Sequence, residues 1–178
     1  MLLDLSRFRG TRDHVDRVMD PSGLEAGGEP FRVVEAVRLV FDVNRDGTSF
    51  RLVGRAASVL ELTCSRCVEA YRWPVAADFD LLYLPEADNT GEGELEVQDE
   101  DLNVAFYRAE TIDLGQMVRE QFYLAVPMKP LCADTCRGLC PACGTNLNNA
   151  SCECRREWSD PRLSGLKVLA TDRDPADR

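Results

Sequence analysis

Hydrophobic and polar residues alternate in three stretches of the chain, residues 32–43, 50–63 and 71–84, and this period of two predicts three β-strands. In the first stretch, five apolar side chains share one face: Val33, Val37, Leu39, Phe41 and Val43. Residues 44–47 read Asn-Arg-Asp-Gly, which favours a tight turn, so the first two strands should form a hairpin. A shorter alternating piece follows at residues 102–106.

The period changes to that of an amphipathic helix over residues 114–126. Its apolar positions are Leu114, Met117, Val118, Phe122 and Ala125. Asp113 suits the N-cap, Gln116 completes a capping-box pattern, and Pro127 should end the helix. We therefore predict an α+β fold, in which a curved antiparallel β-sheet that could close toward a barrel packs against one amphipathic helix.

Changes in composition divide the chain into successive regions. Residues 1–30 form an N-terminal segment and linker, and residues 31–127 form the core of sheet and helix, which contains an acidic loop at residues 86–101. A cysteine-rich tail follows at residues 128–170, and we expect it to be zinc-ribbon-like. We expect residues 171–178 to be a disordered C-terminus.

The net charge of the chain is concentrated in one acidic segment. The formal net charge is −10, and residues 86–101 contain eight carboxylates and no basic residue. Such a run is typical of a solvated loop, and it could also contact a basic partner. The tail is mildly basic. Its candidate contacts for RNA or a partner, which could equally be solubilising surface cations, are Lys129, Arg137, Arg155 and Arg156.

Cysteine spacing gives the strongest chemical signal. Six of the eight cysteines lie within 23 residues: Cys132, Cys136, Cys140, Cys143, Cys152 and Cys154. The other two, Cys64 and Cys67, form a separate pair at the end of a predicted strand. Pairs with two intervening residues are typical of structural zinc sites, in which four thiolates surround the ion. Gly144 follows one such pair and can adopt the positive φ that a tight metal-binding turn requires.

Disulfides, iron–sulfur clusters and redox-active thiols are the alternatives to zinc. A charged residue occurs as early as Asp4, and no apolar run is long enough for a signal peptide or a membrane helix. We therefore expect a cytoplasmic protein that does not enter membranes and whose thiols stay reduced. These conditions favour metal binding by the tail over disulfide formation.

Eight cysteines can be divided between metal ions in more than one way. One partition forms two sites, with Cys140, Cys143, Cys152 and Cys154 in the first and Cys64, Cys67, Cys132 and Cys136 in the second. The second site would fasten the tail to the sheet. A rival partition combines Cys132 or Cys136 with Cys140, Cys143 and one of the last two cysteines, and leaves the upstream pair free. The cysteine pattern therefore predicts one zinc site and allows two.

The ordered string of residues in the tail resembles the YceD family of large ribosomal RNA subunit accumulation proteins. The matching segments are residues 127–132, 136–148, 152–154 and 160–162. The pair Cys64 and Cys67 at a strand end and the helix start at Asp113 are also similar to that family. The resemblance covers about residues 30–170, and it does not extend to the acidic loop.

This resemblance implies a bacterial-type, non-enzymatic factor that acts by binding and supports accumulation of large-subunit (23S) ribosomal RNA. The implied partners are a precursor of the large ribosomal subunit, its 23S rRNA or a basic ribosomal protein, with no small-molecule substrate. The alternatives are a module that binds a basic ribosomal protein through the acidic loop, and a zinc–thiolate redox sensor. A catalytic zinc is disfavoured because four sulfur ligands leave no position for water, and the sole histidine, His14, lies far upstream.

Overall fold

A sheet of β-strands makes up most of the fold in this computed structural model, which describes residues 1–8, 10–24, 30–88, 103–154 and 162. Within those residues, one α-helix and three short 3-10 turns accompany eight strands. The strands are β1 (Leu2–Asp4), β2 (Arg12–Met19), β3 (Phe31–Val33), β4 (Val37–Asp46), β5 (Ser49–Thr63), β6 (Ala70–Pro85), β7 (Val104–Tyr107) and β8 (Thr111–Asp113), and the helix is α1 (Leu114–Ala125). None of the described helical segments is both long and apolar enough to cross a bilayer.

The main sheet has the strand order β2-β4-β5-β6-β7, and β3 pairs with the far end of β5. Its strands are antiparallel except for β7, which runs parallel to β6. The prediction of a wholly antiparallel sheet is therefore wrong at this one pair. Among the described strands β2 and β7 lie at opposite edges and do not pair with each other, so the sheet stays open and the predicted closure toward a barrel is absent.

The predicted hairpin is confirmed and joins the two strands that come first in the sequence pattern. Asp46 pairs with Ser49 across a two-residue loop, and Gly47 in that loop has a φ of 59°. This left-handed conformation is one that glycine adopts without a Cβ clash. The long strands β5 and β6 then pair from Phe50 opposite Tyr83 to Thr63 opposite Ala70.

The predicted strand at residues 32–43 is divided into two pieces, β3 and β4, which pair with successive parts of β5. Backbone polar groups in the interruption are still satisfied. The N–H of Val34 donates to the carbonyl of Val59 at 3.0 Å, and the hydroxyl of Ser58 donates to the carbonyl of Glu35 at 2.8 Å. Both pieces pair antiparallel with β5, so the strand direction is kept across the break.

The hydrophobic core lies between the inner face of the sheet and helix α1. Its most completely buried side chains include Phe41, Leu39, Leu52, Leu60, Met117 and Phe122. Gly54 lets β4 and β5 approach closely, because a Cβ at this position would lie 2.2 Å from the carbonyl oxygen of Val40.

Asp113 caps helix α1 as predicted. Its carboxylate accepts hydrogen bonds from the backbone N–H groups of Gly115 at 2.8 Å and Gln116 at 3.4 Å. The reciprocal half of the predicted capping box does not form, since the Gln116 side chain donates to Glu120 at 2.8 Å instead. Helix α1 ends at Ala125, two residues before Pro127.

Residues 1–30, for which the sequence predicted a segment and linker, contribute strands β1 and β2. Strand β1 pairs with β8, and β2 forms an edge of the main sheet. His14 on β2 is exposed, and its Nδ1 lies 2.7 Å from a carboxylate oxygen of Asp42. The outer face of the sheet carries further charge pairs of this kind: Arg12–Asp42, Arg38–Asp16, Arg51–Asp80 and Arg55–Asp78.

Candidate metal centres

The end of strand β5 places the first cysteine pair in a tight turn. The N–H of Cys64 donates to the carbonyl of Glu69 at 2.9 Å, and the N–H of Val68 donates back to the carbonyl of Cys64 at 2.9 Å. Closing this turn requires a left-handed residue, and Val68 has a φ of 61°. Both sulfurs, of Cys64 and Cys67, are buried.

Backbone hydrogen bonds dock the tail against this turn. The N–H of Ser65 donates to the carbonyl of Pro130 at 2.8 Å, and the N–H of Leu139 donates to the carbonyl of Arg66 at 3.1 Å. The guanidinium of Arg66 donates to the carbonyls of Asp134 at 3.2 Å and Cys136 at 3.0 Å. Arg66 therefore orders the loop that brings two cysteines of the tail toward the first pair.

We call the resulting group the proximal tetrad, which consists of Cys64, Cys67, Cys132 and Cys136. Its four Sγ atoms lie within 4.8 Å of one another, with 3.8 Å between Cys64 and Cys136 and 3.7 Å between Cys67 and Cys132. A tetrahedral ion with bonds to sulfur of about 2.3 Å separates its ligands by about 3.8 Å, so these spacings fit a single metal ion. They are too long for disulfides, and all eight cysteines are free thiols.

The distal tetrad consists of Cys140, Cys143, Cys152 and Cys154, whose Sγ atoms also lie within 4.8 Å of one another. Its first pair sits in a turn built like the one after β5. The N–H of Gly144 donates to the carbonyl of Cys140 at 2.9 Å, and Gly144 has a φ of 74°. Cys143 and Cys154 are exposed, whereas in the proximal tetrad only Cys132 is.

The proximal thiols have unequal affinities for protons. Burial opposes ionisation of Cys64, but backbone N–H groups, including that of Cys132, point at its sulfur and lower its pKa to about 6. The amide of Asn148 lowers the pKa of Cys136. Loss of hydration and the neighbouring sulfurs raise the pKa of Cys132 to about 12. The backbone N–H of Glu69 lowers the pKa of Cys67, as does contact with Cys132, but loss of hydration together with contact with Cys64 and Cys136 outweighs both, and the pKa is raised.

The distal thiols divide in the same way. The Thr145 hydroxyl and backbone N–H lower the pKa of Cys143 to about 6, while contact with Cys143 raises the pKa of Cys154 to about 12. Backbone N–H groups of its turn lower the pKa of Cys140, whose proximity in turn raises the pKa of Cys152. Four thiolates this close repel one another, and a divalent cation would remove that penalty. Each tetrad could therefore hold a metal ion.

The structure groups the cysteines as the two-site partition predicts. The rival partition does not fit, because Cys132 and Cys136 lie with the pair after β5 and not with the distal cysteines. The zinc-ribbon-like fold predicted for the tail is not confirmed: over residues 128–154, sheet-like pairing is limited to one bridge between Leu139 and Asn146.

The predicted RNA or partner contacts are only partly placed. Lys129 and Arg137 are exposed, and neither side chain forms a hydrogen bond or ion pair with the part of the chain that the structure describes. Arg155 and Arg156 lie outside the described residues. The acidic loop is described only at residues 86–88, so its remainder up to residue 101 lies outside them as well.

Sequence reasoning missed the polar residues that support the tetrads. Asn148 donates from Nδ2 to the sulfur of Cys136 at 3.3 Å, and Asn146 donates to the carboxylate of Glu69 at 2.8 Å. Arg66 belongs to the same supporting group. A signal was available, because Arg66 stands between the first two cysteines and both asparagines lie in the ordered string of the tail.

Comparison with known proteins gives matches across most of the chain. The family model described as "Large ribosomal RNA subunit accumulation protein YceD" matches residues 52–170. A chloroplastic protein of Arabidopsis thaliana named large ribosomal RNA subunit accumulation protein YCED homolog 1 is 27% identical in an alignment of length 154 that covers 75% of this chain and 48% of that protein. Its Zea mays counterpart is 30% identical in an alignment of length 152 that covers 72% of this chain and 50% of that protein.

A bacterial relative aligns over more of its own length. An uncharacterized protein of Mycobacterium tuberculosis strain H37Rv is 32% identical in an alignment of length 162 that covers 89% of this chain and 74% of that protein. The chain spans about half the length of the plant relatives it matches. No solved structure matches it.

Proposed function

The chain belongs to the YceD family of large ribosomal RNA subunit accumulation proteins, and we propose that it is a non-enzymatic ribosome-biogenesis factor that binds a precursor of the large ribosomal subunit. The observation that carries this proposal is the family match over residues 52–170, which includes all eight cysteines. The printed names of the plant relatives support the same role.

Zinc is the metal that we propose for both tetrads. Four thiolates within 4.8 Å of one another suit a d¹⁰ ion that has no geometric preference of its own. In a four-iron cluster each thiolate binds a different iron, which favours a wider spread of sulfurs. When bound, zinc would supply structural cross-linking, because four sulfur ligands leave no position for a reacting water. This ligand set supports a structural role for the zinc, in keeping with the proposed binding factor.

The tail is the better candidate surface for RNA. On the outer face of the sheet, the arginines pair with aspartates, so a phosphate there would have to displace a carboxylate. Lys129 and Arg137 have no such competitor among the described residues. They also flank the cysteine loop that the proximal tetrad would fix. Phosphate contacts supply most of the affinity in RNA binding that does not depend on sequence.

Crosslinking in living cells, followed by sequencing of the bound RNA, tests this proposal. We expect enrichment of large-subunit precursor RNA with the unmodified chain and a loss of enrichment in a Lys129→Glu/Arg137→Glu variant. With purified protein and single-stranded precursor RNA, that variant should lower the slope of log affinity against log salt concentration by about 1.4, since each lost phosphate contact contributes about 0.7.

The matched control is Arg12→Glu/Arg38→Glu, which makes the same change of charge on the outer face of the sheet. It should leave RNA enrichment unchanged. Equal losses in both variants would show an effect of net charge alone and would remove the tail contacts from the proposal. Recovery of a basic ribosomal protein without precursor RNA would favour the alternative in which the acidic residues 86–101 hold that protein. The absence of both would contradict a direct role at the ribosome.

A further inference from the structure

The loop that connects the two halves of the distal tetrad lies against the proximal tetrad. This loop, residues 144–151, starts just after Cys143 and ends just before Cys152. The N–H of Leu147 within it donates to the carbonyl of Gly138 at 2.9 Å. The loop therefore packs on the backbone that links one tetrad to the other.

Asn148 makes the most direct connection. Its Nδ2 donates to the sulfur of Cys136 at 3.3 Å, and its Oδ1 accepts from the backbone N–H of Arg137 at 2.8 Å. The same amide is held in place from within the loop, because Nδ2 also donates to Oδ1 of Asn146 at 2.9 Å. Asn146 in turn donates to Glu69, two residues beyond Cys67. A side chain of the distal loop thus contacts a sulfur of the proximal tetrad.

We propose that Asn148 is a positioning residue that couples the two tetrads, so that a metal ion in the distal tetrad tightens metal binding by the proximal tetrad. The inference rests on the proposed occupancy of both tetrads by metal. A metal at the distal cysteines fixes both ends of the loop, and the fixed loop holds Nδ2 of Asn148 against the sulfur of Cys136. Hydrogen bonds to ligand atoms orient the ligand, and their loss typically costs 10- to 100-fold in metal affinity.

The backbone between the tetrads has little room to absorb a displacement of the loop. Three residues separate Cys136 from Cys140. Gly138 among them has a φ of 72°, and a Cβ there would lie 3.0 Å from the carbonyl oxygen of Arg66. The next N–H, of Leu139, is bonded to that same carbonyl. The effect should be reciprocal, because a coupling free energy between two binding sites acts equally in both directions.

A double-mutant cycle with cadmium as the probe tests the coupling. Cadmium NMR gives a separate signal for each four-sulfur site, and competition with a chelator gives the affinity of each. The cycle compares the unmodified chain, Asn148→Ala, Cys152→Ser/Cys154→Ser and the combination of all three substitutions. We expect Asn148→Ala to weaken the proximal site 10- to 100-fold, and loss of the distal cysteines to weaken it to a similar extent. The combined variant should bind no more weakly than the cysteine variant alone.

Two further variants separate the effect of losing the Nδ2 donor of Asn148 from the effect of general damage to the loop. Asn148→Asp keeps the acceptor for the N–H of Arg137 but removes the donor to sulfur, so it should weaken the proximal site at least as much as alanine does. Asn149→Ala is the matched control. The Asn149 side chain has no hydrogen bond within the described residues, and its replacement should leave both affinities unchanged.

The outcomes distinguish the coupling from the metal sites on which it rests. An equal cost of Asn148→Ala with and without the distal cysteines would overturn the coupling and leave Asn148 as a local contact. No cost in either background would overturn it as well. Failure of the unmodified chain to bind cadmium or zinc at the proximal cysteines would overturn the proposed metal sites themselves.

Discussion

The core of sheet and helix and the cysteine-rich tail are held together by different physical means. The core buries a continuous apolar cluster between the sheet and α1. Over residues 128–154 of the tail, the buried positions are Cys136, Gly138 and Cys140, and the contacts that fix this segment are hydrogen bonds and sulfur neighbours. A segment with so little apolar burial cannot offset its loss of chain entropy by packing alone. The contrast teaches that the tail needs another source of stability, which a metal ion would supply.

The proximal tetrad lies at the boundary between these two regions. Two of its cysteines follow strand β5 and two come from the tail, more than 60 positions further along the sequence. Its buried sulfurs pack with Tyr71 of β6 and with Leu131. A metal here would join distant parts of the chain, and the closure of a long loop removes much freedom from the unfolded state. The distal tetrad, by contrast, closes only a short loop within the tail.

Removal of the proposed metal should separate the tail from the core more clearly than any substitution does. We expect a chelator to unfold the tail while the core keeps its structure, because metal binding supplies on the order of 10 kcal/mol to small thiolate modules. Hydrogen exchange measured by mass spectrometry should show loss of protection at residues 130–154 and at residues 64–69, with protection of β4, β5 and β6 retained. Native mass spectrometry of the untreated protein should find two zinc ions per chain.

The control for this experiment is a readdition of zinc, which should restore protection in the same segments. A tail that stays protected after complete stripping would contradict the role assigned to the metal. Loss of protection throughout the core would show that the two regions form one cooperative unit.

Much of the core was predictable because its burial follows a regular period. The three long strands β4, β5 and β6 each bury one face against the apolar cluster. Helix α1 follows the helical period and has its cap at Asp113. Strand β2 escaped prediction because its burial does not follow hydrophobicity. Val15 and Met19 are buried, but Asp13 and Arg17 share their face, and the apolar Val18 points outward with 71% of its surface exposed.

Other features depend on contacts that no local pattern encodes. The break between β3 and β4 inserts two extra residues opposite β5, and an even number leaves every side chain on its original face. The period of two therefore runs on through the break. The parallel direction of β7 and the pairing of Leu3 with Ile112 depend on contacts between segments that are distant in the sequence.

The tetrads could be anticipated because thiol spacing is a local property, but their grouping required the fold. The sequence left two partitions open, and the docking of Ser65 and Arg66 on the tail decides between them. The contact of Asn148 with a sulfur was hidden for the same reason. This contact joins Cys136 of the proximal tetrad to a residue of the loop between two distal cysteines, and cysteine spacing alone does not reveal it.

Gly54→Ala should damage the core and leave the tail intact, the reverse of metal removal. A Cβ at Gly54 would lie 2.2 Å from the carbonyl oxygen of Val40 and 2.4 Å from Cβ of Phe41, so β4 and β5 would have to separate. We expect a loss of about 3 kcal/mol in the free energy of unfolding, at the upper end for an overpacked core. Urea denaturation followed by tryptophan fluorescence measures this loss.

Gly23→Ala is the matched control, because nothing lies within 4 Å of a Cβ at Gly23. It should leave the unfolding midpoint nearly unchanged. If Gly54→Ala keeps the stability of the unmodified chain, the close approach of the two strands is not a requirement of the fold. If Gly54→Ala also lowers the zinc content of the protein, the two regions are less independent than their contacts indicate.

Val68→Gly should give the smallest effect and the opposite sign, because it concerns a strained residue in the proximal turn. The turns after β5 and after Cys140 have the same hydrogen bond and the same left-handed residue, but the first uses Val68 where the second uses Gly144. A β-branched residue at positive φ is strained by about 1–3 kcal/mol, and the greater freedom of glycine in the unfolded chain offsets part of that gain. Since the Val68 side chain is 64% exposed, little packing is lost. A net gain of about 1 kcal/mol corresponds to zinc binding about five times tighter at the proximal tetrad.

The converse change, Gly144→Val, should weaken zinc binding by the distal tetrad. Zinc competition titrations on both variants measure the two effects. A Val68→Gly protein that binds zinc more weakly would show that the valine side chain contributes more to the proximal turn than its strained backbone costs.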